Sequence, residues 1–476
     1  LGEELQMKKS FQFLELDDVK KVHQATLDIL ERVGIACQSE NFNRFAADHG
    51  CKVEGGRIKF PPGVVEKYLK MAPEGFNLYG REGQVLEFGK RQAYSQICSG
   101  TPTVNDLDTG ERRNYVLQDL IDITRLVDEL PNIHIVSCGV PTDVDQKVYM
   151  VVEIATMLQN SSKPCRLPIE SAAELKEVSE VLSVVSGSMD EFRRKPLLYL
   201  EVSPLSPLDF GKEPAECIVA LAETGIPLGI IPCPMMGATG PMTLIGSVTQ
   251  HNAELVAGVV AAQMANPGVP TVMSPRVTFM DMKSGTALWA APETGIAGAC
   301  SAHMANYYKI PVTVSGFSVA SQVADQQAGY ERTFNAMATA MVGVDVLGAA
   351  ASLDNALTTC YIQAVLDDEI CSLVRRALRP LEVNEDTLAV DAIAEVIQRN
   401  TSFLGLKHTR NYLRKGELWV PSIGSRLTFE EWAKECETVE QAAKRKATQI
   451  LKAERKPILD SNAEKEIEAI IQAAME

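Results

Sequence analysis

The sequence predicts an α/β protein, a (β/α)8 TIM barrel over residues 94–380, with an N-terminal cap over 1–93 and a C-terminal helical extension over 381–476. Three observations carry this expectation. Short runs rich in Val, Ile and Leu alternate with longer helical patterns from Tyr94 to Leu378, the rhythm of parallel βα units. Polar residues gather just after the strand-like runs, where a barrel presents its loops. No GxGxxG follows any strand, which makes an open doubly wound sheet the second choice.

In chain order, Leu16–Val33 is amphipathic, with Val19, Val22, Leu27, Leu30 and Val33 on one side, and reads as a helix. Cys51–Phe60 reads as a hairpin turning at Glu54-Gly55-Gly56, Pro61–Lys70 as a helix and Phe76–Ile97 as short strands, of which Tyr94–Cys98 opens the barrel. Ser99-Gly100-Thr101-Pro102 is a turn signal, and residues 106–113 form a polar link. The repeat continues as helix Gln118–Leu130, strand Ile133–Ser137, helix Gln146–Leu158 and strand Pro164–Leu167. A capping box at Ser171–Glu174 starts the next helix, through Val185. Strand Leu197–Val202, a helix near Pro214–Glu223, strand Pro227–Ile231, the long helix Met242–Ala265, apolar from Ala253 onward, and strand Pro270–Ser274 follow. An irregular loop through Thr286 then leads to helix Gly295–Tyr308.

The stretch from Pro311 to Arg376 organises the rest. Pro311–Gly316 is a β-branched strand, 317–327 a small and polar loop, and Ala328–Val342 a helix. Val344–Ala350 is the next strand; Ser352-Leu353-Asp354-Asn355 leads into a long helix through Leu378. Beyond Pro380 the pattern is helical only: Asp386–Ile397, Thr428–Cys436 behind a Thr428–Glu431 capping box, Thr438–Ala453 and Asn462–Met475. This tail is expected to wrap the barrel or a neighbouring subunit.

A net charge of −16 argues against nucleic acid or an anionic membrane as partner. Eleven cysteines without a CxxC pair fit free thiols in a reducing cytoplasm. Leu1–Ser10 is charged, unlike a signal peptide, and no apolar run reaches the roughly 18 residues of a membrane span.

The predicted strand ends offer Cys138, Arg166, Glu201, Ser203, Cys233, Arg276 and Phe317 to a barrel mouth. Cys138, Cys165 and Cys233 could converge as zinc ligands, but no local ligand pair anchors them, and buried apolar thiols are the plainer reading. Glu331 either serves the site or satisfies a helix N-terminus. Tyr94, Phe279, Phe317 and Tyr330 could form an aromatic box for a quaternary ammonium. His408 lies outside the repeat, where a tail contact is the alternative to a role in binding.

Three runs carry a resemblance: Asp325-Gln326-Gln327-Ala328-Gly329-Tyr330-Glu331; Asp367-Asp368-Glu369-Ile370 with Val374-Arg375-Arg376; and Phe403-Leu404-Gly405 with His408-Thr409. Together they resemble the trimethylamine methyltransferase superfamily, from about residue 20 to the end of the chain. The resemblance implies a (β/α)8 enzyme that moves a methyl group from an amine to the cobalt of a corrinoid (cobalamin) presented by a separate cognate protein, with no tightly bound metal of its own. The trimethylamine branch carries pyrrolysine in the loop after the strand corresponding to Pro311–Gly316, whereas 319–323 here are standard residues. The chain is therefore similar to the non-pyrrolysine branch, whose substrates include glycine betaine, proline betaine and carnitine-like compounds. On this reading Gln322, Gln326, Tyr330 and Glu331 are catalytic. Tyr94, Glu201, Ser203, Arg276, Phe279, Phe317 and His408 bind the substrate, with Arg276, Arg166 or Gln322 as donor to its carboxylate. A wide, acidic-rimmed funnel with a mostly neutral mouth, a transient interface with the corrinoid protein and a cytoplasmic homo-oligomer are expected. A quaternary-amine binding or sensing protein without transfer activity, or a metal- or pyridoxal-dependent barrel enzyme, are the alternatives.

Overall fold

Parallel strand pairing organises the computed structural model, which describes residues 12–454 and 457–475. The charged opening Leu1–Ser10 lies outside the described residues. The strands are β1 (Tyr94–Ile97), β2 (Cys165–Pro168), β3 (Leu198–Val202), β4 (Leu228–Ile230), β5 (Thr271–Met273), β6 (Thr313–Ser315) and β7 (Val346–Ala350). One sheet runs β2-β3-β4-β5, with Leu200 opposite Leu167 and Leu228. A second runs β6-β7-β1, all parallel. Single parallel bridges, Met273 with Val312, Gln96 with Ile135 and Val136 with Cys165, link the two sheets, the last two through the extended segment 133–136. Every residue of β3 and β7 is buried, as expected of parallel strands covered on both faces.

A helix follows each of these segments: α1 (Leu117–Asp128), α2 (Tyr149–Asn160), α3 (Leu175–Ser186), α4 (Glu213–Thr224), α5 (Leu244–Ala265), α6 (Pro292–Tyr308), α7 (Gln326–Ala340) and α8 (Tyr361–Leu378). The starts and stops are local chemistry. Asp325 caps α7 by accepting from the Ala328 N–H at 3.0 Å, and α3 and α4 end on left-handed Gly187 and Gly225. The burial of α5 on nearly all sides over its carboxyl half is explained by packing: helices Leu16–Arg32 and Pro62–Leu69 of the N-terminal region lie against it. The hairpin Phe76–Tyr79/Val85–Phe88 covers the amino ends of the strands, where Leu78, Leu86 and Phe88 pack with Tyr94, Tyr199, Val272 and Val346.

The architecture is a mixed α/β fold whose parallel segments fall where the sequence predicts them. The differences are local. The expected loop before Thr286 contains strand Thr278–Met280, paired with Met235–Met236 and with Ala287–Leu288. The expected helix Asp386–Ile397 breaks at left-handed Ala389 into Glu385–Leu388 and α9 (Val390–Arg399). Thr428–Cys436 keeps only Phe429–Trp432 as helix, and Lys407–Arg414 is a helix that periodicity did not reveal. In the tail, α10 (Val439–Lys452) lies on α8 and α1, and Ser461–Met475 on α3. No helix among the described residues is long and apolar enough to cross a membrane.

Candidate active site at the carboxyl ends of the strands

A cavity of about 150 Å³ opens at the carboxyl ends of the parallel strands. Its wall includes Cys98 and Ser99 after β1, Arg166 on β2, Ile231 and Cys233 after β4, Arg276 after β5, Ser315 and Ser318 at the end of β6, and Ala349 on β7. Trp289 and Ala356 close it from two loops. The volume lies below the roughly 300–1,000 Å³ of drug-sized sites, which suits a ligand of a few heavy atoms. The cavity is narrower than the wide funnel expected from sequence, and Trp289, just after the hairpin Thr278–Leu288, forms part of its wall.

Two arginines and one glutamate set its electrostatics. Glu201 is fully buried on β3, pairs with Arg166 and accepts from Ser274 Oγ at 2.5 Å. Arg166 also donates to Ser99 Oγ, and burial pulls its pKa down to about 10. Arg276 is 8% exposed, and the acceptors recorded for it among the described residues are neutral: Pro275 O at 2.9 Å, Thr313 O at 3.0 Å and Thr313 Oγ1 at 3.4 Å. Thr313 Oγ1 in turn donates to Ser274 Oγ at 3.0 Å, which connects the second arginine to the Glu201–Arg166 pair. Burial lowers the pKa of Arg276 as well. Arg166 is neutralised and Arg276 is not, so the wall carries about one net positive charge. Ser318 Oγ, also buried in this wall, has no hydrogen-bond partner among the described residues.

Buried polar contacts fix the loops around the cavity. Arg332, fully buried on α7, donates to Phe317 O at 2.7 Å, to Asp367 Oδ2 at 2.8 Å and to Ser352 O. Asp367 accepts from the Ala351 N–H at 2.6 Å and from Gln363 at 2.9 Å. The ends of β6 and β7 are thereby tied together. Asp354, Asn355 and Ala356 are consecutive residues with left-handed backbone. Their shape lets Asn355 Oδ1 accept from the Trp289 N–H at 3.1 Å while its own N–H reaches Val319 O at 2.7 Å. Non-glycine residues in this region carry strain that the surrounding contacts must hold.

Of the residues predicted for the site, the structure places Arg276 and Arg166 in the cavity wall and Glu201 directly behind them. The others lie elsewhere. Tyr94 begins β1 at the opposite end of the strands, its hydroxyl accepting from the Glu87 N–H at 3.1 Å and its ring edge-on to His134. Phe317 is fully buried in the main core, because its side chain falls on the packed side of the loop. Phe279 packs against an apolar cluster beneath the hairpin, and Ser203 Oγ donates to Ile231 O at 3.0 Å. Gln322 is exposed and turns back to Ala320 O at 2.9 Å. Gln326 and Tyr330 are exposed on α7. Glu331 accepts from the Ala320 N–H and from Gln327, both at 2.9 Å, and so braces the loop. His408 bonds Asp386 O at 3.2 Å and stacks on Tyr412, within the tail that leaves the far end of α8. Sequence reasoning missed Ser99, Trp289 and Ser318. Trp289, one of three tryptophans, carried the strongest signal available, and its place in an unrecognised hairpin concealed it.

Among the described residues no group of three or more His, Cys, Asp or Glu side chains is arranged to hold a metal ion. Cys138 and Cys165 are buried and Cys233 is exposed.

Comparison with known proteins gives a consistent picture. The family model described as trimethylamine methyltransferase (MTTB) matches residues 4–475. A glycine betaine methyltransferase of Desulfitobacterium hafniense is 31% identical over 471 residues, 98% of this chain and 98% of its own length. A trimethylamine methyltransferase of Methanosarcina acetivorans is 30% identical over 469 residues, 96% of this chain and 94% of its own. In fold, the chain is similar to the monomethylamine methyltransferase of Methanosarcina barkeri, with a TM-score of 0.55 at 14% identity over 93% of this chain and 90% of that one.

Proposed function

The chain belongs to the trimethylamine methyltransferase family, and from that premise we propose that it transfers a methyl group from a betaine-type quaternary amine to a corrinoid carried by a separate protein. One observation carries the substrate class. Arg276 is a buried guanidinium in the wall of a small cavity, and its recorded partners are neutral. A ligand carboxylate would supply the missing negative charge, and charge-assisted pairs of this kind are about twice as strong as neutral hydrogen bonds. Glycine betaine and proline betaine each have a carboxylate close to a quaternary nitrogen; trimethylamine has neither group.

We read β1, segment 133–136 and β2–β7 as the eight staves of a (β/α)8 barrel over 94–380, with 1–93 as cap and 381–476 as helical extension. The parallel pairings of neighbouring segments and the helix after each support that reading. Its mouth is then the usual place for chemistry.

The reaction breaks one N–CH3 bond. The nitrogen keeps the bonding pair and leaves as a neutral tertiary amine, so no proton has to be delivered. The partner's corrinoid, as Co(I), supplies the electron pair for the new bond to the methyl carbon. The chain's own residues orient the donor. Arg276 holds the carboxylate, and Trp289, in the same wall, is the aromatic side chain left for the ammonium end. Because Arg166 neutralises Glu201, no uncompensated carboxylate grips the cation. This matters because stabilising the ammonium ground state without stabilising the transition state would slow transfer.

The test is the absorbance change from cob(I)alamin to methylcobalamin with glycine betaine, proline betaine, carnitine, choline and trimethylamine in turn. Betaines should react and trimethylamine should not. If trimethylamine reacts and every betaine fails, the substrate reading is wrong. If no amine transfers even to the cognate corrinoid protein while a betaine still binds, the chain is a binding protein.

A further inference from the structure

Ser318 is 1% exposed, and its Oγ, buried in the cavity wall, has no hydrogen-bond partner among the described residues. A hydroxyl kept from water without a partner costs stability, so a folded chain rarely keeps one without a use. Other buried serines near the same strand ends have local duties. Ser321 Oγ lies 2.9 Å from Val323 O and 2.8 Å from Asp325 Oδ1, and Ser352 Oγ donates to Ala349 O at 2.8 Å. Ser318 has no such duty, although the backbone that carries it is pinned on both sides. Before it, the Phe317 N–H donates to Gly348 O at 3.0 Å and Phe317 O accepts from Arg332 at 2.7 Å. After it, Val319 O accepts from the Asn355 N–H at 2.7 Å, and the Ala320 N–H donates to Glu331 at 2.9 Å. An unpaired hydroxyl on a fixed frame is preorganised for a ligand.

We propose that Ser318 is a specificity-determining residue that clamps a substrate carboxylate together with Arg276, the guanidinium taking one oxygen and the hydroxyl donating to the other. The inference rests on the betaine reading above and adds a second donor to it. The frame that holds Ser318 also leads to Arg276. Arg276 donates to Thr313 O on β6 at 3.0 Å, and a Cβ built on Gly348 of β7 would lie 3.4 Å from its Nη2. Gly348 is the residue whose carbonyl accepts from the Phe317 N–H, so Ser318 follows directly on a contact beside the guanidinium. Two donors, one charged and one neutral, thus belong to one stretch of wall at the ends of β6 and β7. The two ends of a betaine are not equivalent to a hydroxyl. The quaternary nitrogen has neither an N–H nor a lone pair, so only the carboxylate can pair with Ser318. The second donor also fixes direction. A carboxylate held by one contact can swing about it, whereas two contacts set its plane and with it the line of the N–CH3 bond.

Calorimetric titration of wild type, Ser318→Ala and Arg276→Met tests this without depending on methyl transfer. The probes are glycine betaine, its uncharged carbon isostere 3,3-dimethylbutanoate, and tetramethylammonium, which is the cation alone. Ser318→Ala should weaken both carboxylates about tenfold or more and leave tetramethylammonium within about twofold of wild type. Its urea midpoint should hold or rise, because the substitution removes an unpaired hydroxyl. Carboxylate affinity kept in Ser318→Ala but lost in Arg276→Met overturns the clamp and leaves the betaine reading standing. Undiminished carboxylate affinity in both variants, or no carboxylate binding to wild type, overturns the clamp together with that reading. A lowered midpoint with all three ligands weakened alike also overturns it, since the hydroxyl would then be holding the loop.

Discussion

Replacing Arg276 by methionine should separate binding from stability. The side chain is 8% exposed, and its recorded acceptors are neutral: two carbonyl oxygens at 2.9 and 3.0 Å and one hydroxyl at 3.4 Å. A buried charge with neutral partners contributes little to the fold, because desolvation offsets the hydrogen bonds. Arg276→Met removes that desolvation cost and leaves Thr313 O and Pro275 O short of a donor, at about 1–3 kcal/mol if both stay dry. These opposing effects are similar in size, so unfolding free energy should change by no more than about 1–2 kcal/mol. Substrate binding should suffer much more. Loss of a charge-assisted bond to a carboxylate costs about 1.5–3 kcal/mol, a roughly ten- to hundred-fold rise in KM for a betaine. Choline, which has the cation without the carboxylate, should be nearly unaffected. Glu201→Gln is the contrasting variant. It strands buried Arg166 and should cost about 3–5 kcal/mol of stability. Steady-state rates from the cobalamin absorbance change, with urea melts of all three proteins, decide the matter. Equal losses for betaine and choline, or an Arg276→Met protein as fragile as Glu201→Gln, would refute the reasoning.

Other outcomes follow from individual contacts. Trp289→Ala should weaken binding of every quaternary amine by about 0.5–2 kcal/mol, measured by calorimetry; a loss confined to carboxylated ligands would place the aromatic contact elsewhere. Glu153, 1% exposed on α2, has its carboxyl pushed up to about 8 by burial, from an ordinary 4.5. The folded state then binds a proton that the unfolded state has released, so stability falls as pH rises from about 4.5 to 8, by roughly 1.4 kcal/mol per unit. Glu153→Gln should abolish that slope, and thermal melts of the two proteins that stay parallel from about pH 5 to 8 would contradict it. Asp367→Ala leaves buried Arg332 without its carboxylate and should cost about 3–5 kcal/mol in urea denaturation; a change below about 1 kcal/mol would mean the pair is not what ties β6 to β7. At Gly229 a Cβ would lie 2.6 Å from Glu201 Cγ, so Gly229→Ala should destabilise by about 1–3 kcal/mol, read in the same assay.

What the sequence determined by itself is local. Proline and glycine punctuation and β-branched runs marked the parallel segments, because those signals act within a few residues and do not depend on what packs beside them. Asp325 capped α7, and the capping boxes at Ser171 and Thr428 formed, for the same reason. Arg166 and Arg276 were legible as candidates because the sequence puts each near the end of a predicted strand. Which of them would be left without a carboxylate was not legible. That depends on β2 and β3 lying in register, which sets Glu201 beside Arg166 and leaves Arg276 on the far side of Ser274 and Thr313. The direction of a loop side chain was equally hidden: Phe317 turned into the core and Glu331 back onto Ala320. Tyr94 and His408 were assigned to a mouth that the tertiary structure places at the other end of the strands. Trp289 stands at the end of a local hairpin, Thr278–Met280 with Ala287–Leu288, that is tied to Met235–Met236, distant in sequence. Pairings, registers and charge neutralisation are properties of neighbours distant in sequence, and a single chain read residue by residue contains the partners but not their meeting.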